Sequence, residues 1–528
     1  MTGRGCLPPA GVGGLLSISR AMSLLAERDP DRPAITFDAA RGVPGGRTPG
    51  QHRTVTRAEL DRRTNQIARA YAQRVRSTGH GLAAGEVAAG GPARGKVAAS
   101  EVAGRFVTVA LPNGIEFFEA CTAVWKLGGT PHLLSSRMPP AEQSVLVELA
   151  DPALVVGDAP AGDRPHVSTG FEPDPGLCDA ELPDRISPSW KALCSGGSTG
   201  APKLIVDGRP GTVDPAGPGV AGLLPELTQL VCGPLYHNSA FFWGSQGLHI
   251  GHHLVVLPRF DAEHVLAAID THRIELAVFA PTMMRRIYLL PGDVKSRYDV
   301  SSLRFVVHTA APCPDWLKQA WIDWLGPKKI WETYSGTENI AGTAIRGDEW
   351  LAHRGSVGRI KHGRIRILDG EGNEVPAGVT GEIFMWSERP AYRYIGAQPR
   401  GRDGWHSLGD LGHLDADGYL YIADRRTDLI LRGGANVFPA EVESALERHP
   451  HVAESVVVGI PDEDLGERVH AIVRPDGPLS EDELHAFMST QLASYKCPST
   501  YKIVAEPLRD EVGKARRADY RRAHGERT

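Results

Sequence analysis

One segment, Ser195-Gly196-Gly197-Ser198-Thr199-Gly200-Ala201-Pro202-Lys203, concentrates the residue types that bind phosphate. Its three glycines permit backbone conformations in which successive N–H groups turn inward around an anion. Three hydroxyls add donors and Lys203 adds a cation, so a polyphosphate is the natural guest. The loop is not a Walker A motif, because no glycine immediately precedes the lysine. An isolated Gly/Ser loop is more often a solvated turn, so the segments that accompany it must decide.

Other residue patterns exclude chemistry. The seven cysteines are scattered without a C-x-x-C pair, which suits neither a disulfide framework nor a zinc site. Gly79-His80-Gly81 follows no strand-like run and fails the G-x-G-x-x-G spacing of a dinucleotide loop. A net charge of -5 gives no general electrostatic reason to bind nucleic acid or an anionic membrane. No uninterrupted apolar run approaches the roughly 18 residues of a membrane span. Gly14–Ile18 is soon broken by Arg20, too short an apolar run for a signal peptide, and this predicts a cytoplasmic protein.

These residues need a large scaffold. At 528 residues, two or more domains are expected. Gly42–Arg53 and Arg76–Ala103, rich in Gly with Arg, Pro or Ala, read as surface loops or insertions. Elsewhere strand-like and helical runs alternate: Phe106–Leu111, Ile115–Leu127, Pro131–Leu134; Glu275–Ala280, Met283–Leu290; Leu303–His308, Asp315–Leu325, Lys329–Thr333. Such alternation predicts an α/β fold with helices on largely parallel sheets. Ligands then collect at the carboxyl ends of strands, where His308–Pro312 and Tyr334–Glu338 would lie. After the turn Asp415–Gly418 and the strand-like Tyr419–Ala423, the texture changes to a small α+β unit. It has a helix over Glu441–Arg448, strands over Glu454–Gly459 and Arg468–Val473, and a capping arrangement at Ser480 and Glu483.

The loop resembles the phosphate loop of the adenylate-forming superfamily: acyl-CoA ligases, luciferases and peptide-synthetase adenylation domains. Further segments are similar to that family's motifs and follow in its order, covering roughly Ala34 to Arg517. They are Pro234-Leu235-Tyr236-His237-Asn238; Tyr334-Ser335-Gly336-Thr337-Glu338; Gly404-Trp405-His406-Ser407-Leu408-Gly409-Asp410; Asp424-Arg425 with Asp428, Gly433-Gly434 and Pro439–Glu443; and Leu508–Lys514. Within the family, Ser-Gly-Gly in the loop, Ala311–Pro314, Trp331-Glu332, Arg354–Gly358 and Arg432–Val437 resemble a mainly bacterial, bile-acid-CoA-ligase-like branch.

The resemblance implies an α/β protein with a large multi-sheet adenylation domain (1–424), a hinge (425–428) and a small, mobile α+β lid domain (429–528). It also implies ATP, Mg²⁺ and coenzyme A as partners of a small-molecule acid, and leaves homodimer formation open. Ser195, Gly196, Gly197, Ser198, Thr199, Gly200 and Lys203 would hold phosphates, with Thr199 and Thr337 donating hydroxyl hydrogen bonds. Glu338 would hold Mg²⁺, a hard cation that prefers carboxylate oxygen. Asp410 would accept both ribose hydroxyls, with Arg425 nearby, and Ala310, Ala311, Pro312 and Tyr334 would line the adenine slot. Lys514 would bridge the acid and the α-phosphate and stabilise the charge built in the first step. Gly433 and Gly434 would face the pantetheine path after rotation at Thr427. His237, Phe241, Phe242, Trp243, Met283, His308 and Asn339 would form the acid pocket. That set contains no lysine or arginine, which favours a monocarboxylic acid bearing a ring. The implied reaction joins acid and ATP into an acyl-adenylate and pyrophosphate, then transfers the acyl group to coenzyme A. Three alternatives remain open at this point: a carrier protein as acceptor, an amine as acceptor, or activation of nitrite for diazotisation.

Overall fold

The computed structural model describes residues 14–39, 52–77, 101–195, 202–215, 217, 224–389, 391–425, 428–432, 435–462, 464–510 and 513–525. Most of the glycine-rich segments 42–53 and 76–103 lie outside the described residues, as do 196–201, 426–427 and 433–434.

Short runs of branched apolar residues form the sheets because both of their faces are covered. Leu154–Gly157 and Thr130–Leu133 are buried throughout, as expected of parallel strands with helices above and below. The first sheet places Pro33–Asp38, His253–Val256, Thr228–Val231, Leu276–Phe279, Phe305–His308 and Ile330–Ser335 side by side, all parallel. It then continues antiparallel through Gly342–Arg346, Ser356–His362, Tyr419–Arg425, Trp405–Leu414, Gly381–Trp386 and Arg364–Leu368. The second sheet runs parallel from His166–Val167 through Leu154–Gly157, Phe106–Ala110, Thr130–Leu133 and Ala192–Ser195. It closes with two antiparallel strands, Lys203–Asp207 and Tyr392–Ile395. The helix Ile115–Lys126, buried on every side, fills the layer between elements.

The carboxyl-terminal unit is a five-stranded sheet. Val452–Asp462 and Gly466–Pro475 form its long antiparallel pair, and Thr500–Ile503 lies parallel to the latter. Helices Pro439–Leu446 and Glu481–Gln491 bury Leu446, Leu484 and Met488 against it. The Ser480 hydroxyl accepts the Glu483 N–H, which caps the second helix as its sequence suggested.

This unit docks on the helix Pro281–Tyr288 of the larger one. Arg285 donates to the Ala453 carbonyl at 2.5 Å and the Val452 carbonyl at 2.6 Å, and Arg286 pairs with Glu454 at 3.5 Å. Asp424, at the end of its strand, accepts the Ala440 N–H at 2.8 Å. Among the described residues, no helix is long and apolar enough to cross a membrane.

Candidate active site

The hairpin strands Ala192–Ser195 and Lys203–Asp207 bring the ends of the phosphate-type loop together, with Ser195 opposite Lys203. Gly196, Gly197, Ser198, Thr199 and Gly200 lie outside the described residues. Residues paired directly across an antiparallel sheet share a face, so Lys203, Tyr394, Lys191, Asp207 and Tyr392 all look the same way. On that face the Lys203 ammonium sits 3.9 Å above the Tyr394 ring. The Tyr394 hydroxyl donates to Glu338 Oε1 at 2.5 Å. Burial and the Glu338 charge push the Tyr394 phenol well above its ordinary range, so it remains a donor. Glu338 is buried, and its Oε2 has no hydrogen-bond partner among the described residues.

The carboxyl ends of two neighbouring parallel strands supply the next groups. Phe305–His308 leads into Ala310 at φ +78°, and Ile330–Ser335 leads into Gly336-Thr337-Glu338 and Asn339 at φ +51°. Two side-chain-bearing residues held left-handed in adjacent loops mark backbone constrained by its surroundings. Thr309 ties the loops together by donating to the Thr333 carbonyl at 2.9 Å. Gly336 lies close under Leu408: a Cβ there would meet the end of the Leu408 side chain at 2.2 Å, so that side chain would have to shift. Asp410, on the strand Trp405–Leu414, is buried and accepts the Tyr334 hydroxyl at 2.7 Å through Oδ2. Its backbone lies opposite Arg425, of which only the backbone is described. The structure thus brings Lys203, Glu338, Thr337, Tyr334, Ala310 and Asp410 to strand ends of two sheets; Ala311 and Pro312 continue the Ala310 turn.

His237 caps the helix Asn238–His249 in extended conformation, its ring 4.3 Å from that of Tyr236. Burial, with a smaller contribution from the Lys514 charge and against the opposing charge of Asp510, lowers its pKa to about 4. The Lys514 loop therefore lies within electrostatic reach of His237. That loop is a tight turn: Lys514 N–H donates to Asp510 Oδ1 at 2.8 Å, and Asp510 N–H donates back to the Lys514 carbonyl at 3.0 Å. Gly513, at φ +81°, seats the turn against the larger unit; a Cβ there would lie 2.8 Å from Thr282. Arg509 braces it from behind through Glu443 at 2.8 Å and the Gly513 carbonyl at 3.2 Å. Burial alone would raise the Glu443 carboxyl, but Arg509 and Arg517 outweigh it and hold the pKa low.

The proposed acid-pocket residues divide. On the helix Asn238–His249, the stripe Asn238, Phe242 and Gln246 is partly exposed, and so are His237 and Asn339. Four others are buried in this structure. Phe241 is wedged between Trp190 (ring centroids 5.6 Å apart, stacked), Trp125 and Phe117. Trp243 packs with Leu227, Leu276 and Val307. Met283 packs with the buried cluster around Phe279 and Met284. His308 has no exposure, neither ring nitrogen has a hydrogen-bond partner among the described residues, and burial lowers it to about 4.

Two cations lie beside Phe242, one of the residues expected to line the pocket. Lys191 Nζ lies 5.7 Å from the Phe242 ring and Arg209 equally 5.7 Å, while Lys191 donates to Asn238 Oδ1. A lysine immediately before an apolar strand, four residues ahead of the phosphate-type loop, was the available signal. A lone charge at a strand end ordinarily reads as solvated, yet Lys191 is buried.

Residues 102–394 match the AMP-binding enzyme family, and residues 441–514 match the AMP-binding enzyme C-terminal domain. The chain is 34% identical over 301 residues to a fatty acid–[acyl-carrier-protein] ligase, ScoC, of Streptomyces coeruleorubidus, covering 54% of this chain and 57% of that one. It is 28% identical over 445 residues to a 2-succinylbenzoate–CoA ligase of Bacillus licheniformis, covering 79% of this chain and 92% of that one. Among solved structures, the anthranilate CoA ligase AuaEII in complex with anthranoyl-AMP superposes with a TM-score of 0.75 at 21% identity, covering 98% and 99% of the two chains.

Proposed function

Because this chain belongs to the AMP-binding enzymes, the adenylate-forming family, of acyl-CoA ligase type, we infer that it joins a ring-bearing carboxylic acid to coenzyme A with cleavage of ATP to AMP and pyrophosphate. In the first step a carboxylate oxygen bonds to the α-phosphorus, and the bond from that phosphorus to pyrophosphate breaks. In the second, the deprotonated thiol of coenzyme A attacks the acyl carbon and the C–O bond to AMP breaks.

The observation that carries this reading is the seating of the Lys514 turn on Thr282, within electrostatic reach of His237. A cation there meets two anions that must approach each other, the carboxylate and the α-phosphate, and stabilises the charge at their junction. With its pKa near 4, His237 is neutral at pH 7 and orients without adding charge. Lys203 and the loop it ends bind the phosphates. Mg²⁺, which the family uses with ATP, supplies charge neutralisation at those phosphates. Glu338 fits it, since Tyr394 holds one carboxylate oxygen and leaves Oε2 available among the described residues. Asp410, its Oδ2 bonded by Tyr334, accepts the ribose hydroxyls. The domain limits 1–424, 425–428 and 429–528 belong to this proposal, with Thr427 as pivot and Gly433-Gly434 facing the thiol after rotation.

Product analysis tests it. Enzyme with ATP, Mg²⁺, coenzyme A and a ring acid should yield AMP, pyrophosphate and a thioester of the expected mass. ADP as the nucleotide product would overturn the reading. The similarity to an acyl-carrier-protein ligase favours one second reading, a carrier phosphopantetheine as the acceptor; adenylate that accumulates beside coenzyme A but discharges onto a holo carrier protein would select it.

A further inference from the structure

The buried ammonium of Lys191 has no place in the reaction just derived. It precedes the strand Ala192–Ser195, on the sheet face that carries Lys203 and Tyr394, and its side chain is 2% exposed. Its donors reach Asn238 Oδ1. Asp207 lies 3.9 Å away, but that carboxylate is already engaged by Arg209, at 2.8 Å and 3.0 Å. Trp190 and Phe242 present ring faces to the same ammonium at 4.9 Å and 5.7 Å. Two cations thus share one carboxylate, and Glu338, the remaining acidic group that acts on Lys191, is committed to the phosphate side.

An ammonium only donates, so the Asn238 atom facing it must be the carbonyl oxygen. That fixes the other end of the amide. Nδ2 is the end that the lysine does not hold, on a partly exposed residue with Phe242 one turn on and His237 next in sequence. Nδ2 has no hydrogen-bond partner among the described residues.

We propose that Lys191 is a positioning residue that locks the Asn238 carboxamide with its N–H₂ toward the bound acid, so that the site selects ring acids carrying an oxygen acceptor there over acids carrying an amino or alkyl group. The proposal rests on the functional reading above and adds the class of substituent. The excess positive charge of Lys191 and Arg209 over Asp207 acts in the same sense, favouring electron-rich oxygen. Burial lowers the Lys191 pKa to about 7, so assays at pH 6 read the ammonium form.

The test is acid-dependent ATP–pyrophosphate exchange at pH 6 by the full chain, with the ortho, meta and para series of hydroxy-, amino- and methylbenzoates. At one ring position the hydroxy acid should exceed both isosteres at least tenfold in kcat/KM. Lys191→Met should collapse that hydroxy:methyl ratio to about one, mainly through KM for the hydroxy acid. Lys191→Arg, which still only donates, should restore part of it. Asn238→Asp offers only acceptors and should invert the preference toward the amino acid, a gain that a damaged fold cannot produce. Wild-type preference for an amino acid, or equal losses for all substituents in Lys191→Met, overturns the proposal while leaving adenylation intact. Exchange with no ring acid at all overturns the functional reading and this proposal with it.

Discussion

Lys514 makes the sharpest residue-scale prediction, because the proposed function uses its charge in only one of two half-reactions. Lys514→Ala should slow adenylate formation by roughly two to four orders of magnitude with ATP binding largely kept. Thioester formation from a supplied acyl-adenylate should survive; rapid-quench assay of each half-reaction separates them, and loss of both contradicts the role. Asp410→Ala should act differently, raising KM for ATP on the order of a hundredfold, since it deletes the proposed ribose acceptor and the carboxylate that Tyr334 bonds. Lys203, Glu338, Asp410 and Lys514 were singled out in the sequence because each closes a motif whose neighbours share its chemistry, and the fold does bring Lys203, Tyr394 and Glu338 together. The burial of Phe241, Trp243, Met283 and His308 was not legible. Whether an aromatic on a helix is buried depends on helix phase: on Asn238–His249, Phe241 and Trp243 are buried while Asn238, Ser239, Ala240, Phe242 and Gln246 are partly exposed. Lys191 escaped notice because a lysine at a strand end ordinarily reads as solvated, and its burial depends on pairing with Asp207 across the hairpin and on Phe242, some fifty residues on.

At the scale of elements, the site depends on how one turn sits on one helix. Gly513 is held left-handed with Thr282 so near that a methyl group there collides at 2.8 Å. Gly513→Ala therefore adds about 1–2 kcal/mol of backbone strain and pushes the Lys514 turn off its seat. Adenylation should fall about tenfold or more, with thioester formation from supplied adenylate changed less than threefold in the same assays. An equal fall in both would mean that the turn serves folding alone. The alternating elements were readable from sequence: the strand Phe106–Ala110, the helix Asp315–Leu325 and the capped helix at Ser480 fall where their periodicity put them. The order of strands was not. Neighbours such as Pro33–Asp38 and His253–Val256 lie some two hundred residues apart, and no local signal records their pairing. The junction at Thr427 lies outside the described residues, so its role as pivot remains a prediction. Thr427→Pro, which fixes φ and removes an N–H, should impair the thioester step more than adenylation.

For the whole molecule, buried histidines set the acid limit of stability. His132, His249 and His308 are fully buried, and burial lowers their pKa values to about 4, 3 and 4 from an ordinary 6.5. The unfolded chain takes up these protons first as pH falls through 6.5, so it is favoured increasingly down to about pH 4, where the folded form also protonates. The histidine contribution should be flat from pH 7 to 8, where the lowered Lys191 pKa of about 7 instead makes stability rise with pH, and it should fall by several kcal/mol between pH 6.5 and 4, each such histidine contributing at most about 3 kcal/mol. Urea midpoints across that range check the slope. His249→Phe should flatten it, because both ring nitrogens of His249 lack hydrogen-bond partners among the described residues. The assembled molecule sets Lys203 and Glu338 against Tyr394 and brings a lysine turn from a second unit within electrostatic reach of His237, and the proposed function requires that an acid is adenylated there. Acid-dependent exchange of labelled pyrophosphate into ATP measures that step alone, without coenzyme A. Benzoate- and cinnamate-type acids should drive exchange well above the acid-free rate and above acetate and palmitate; exchange that ignores the acid, or that prefers acetate or palmitate, would contradict the account.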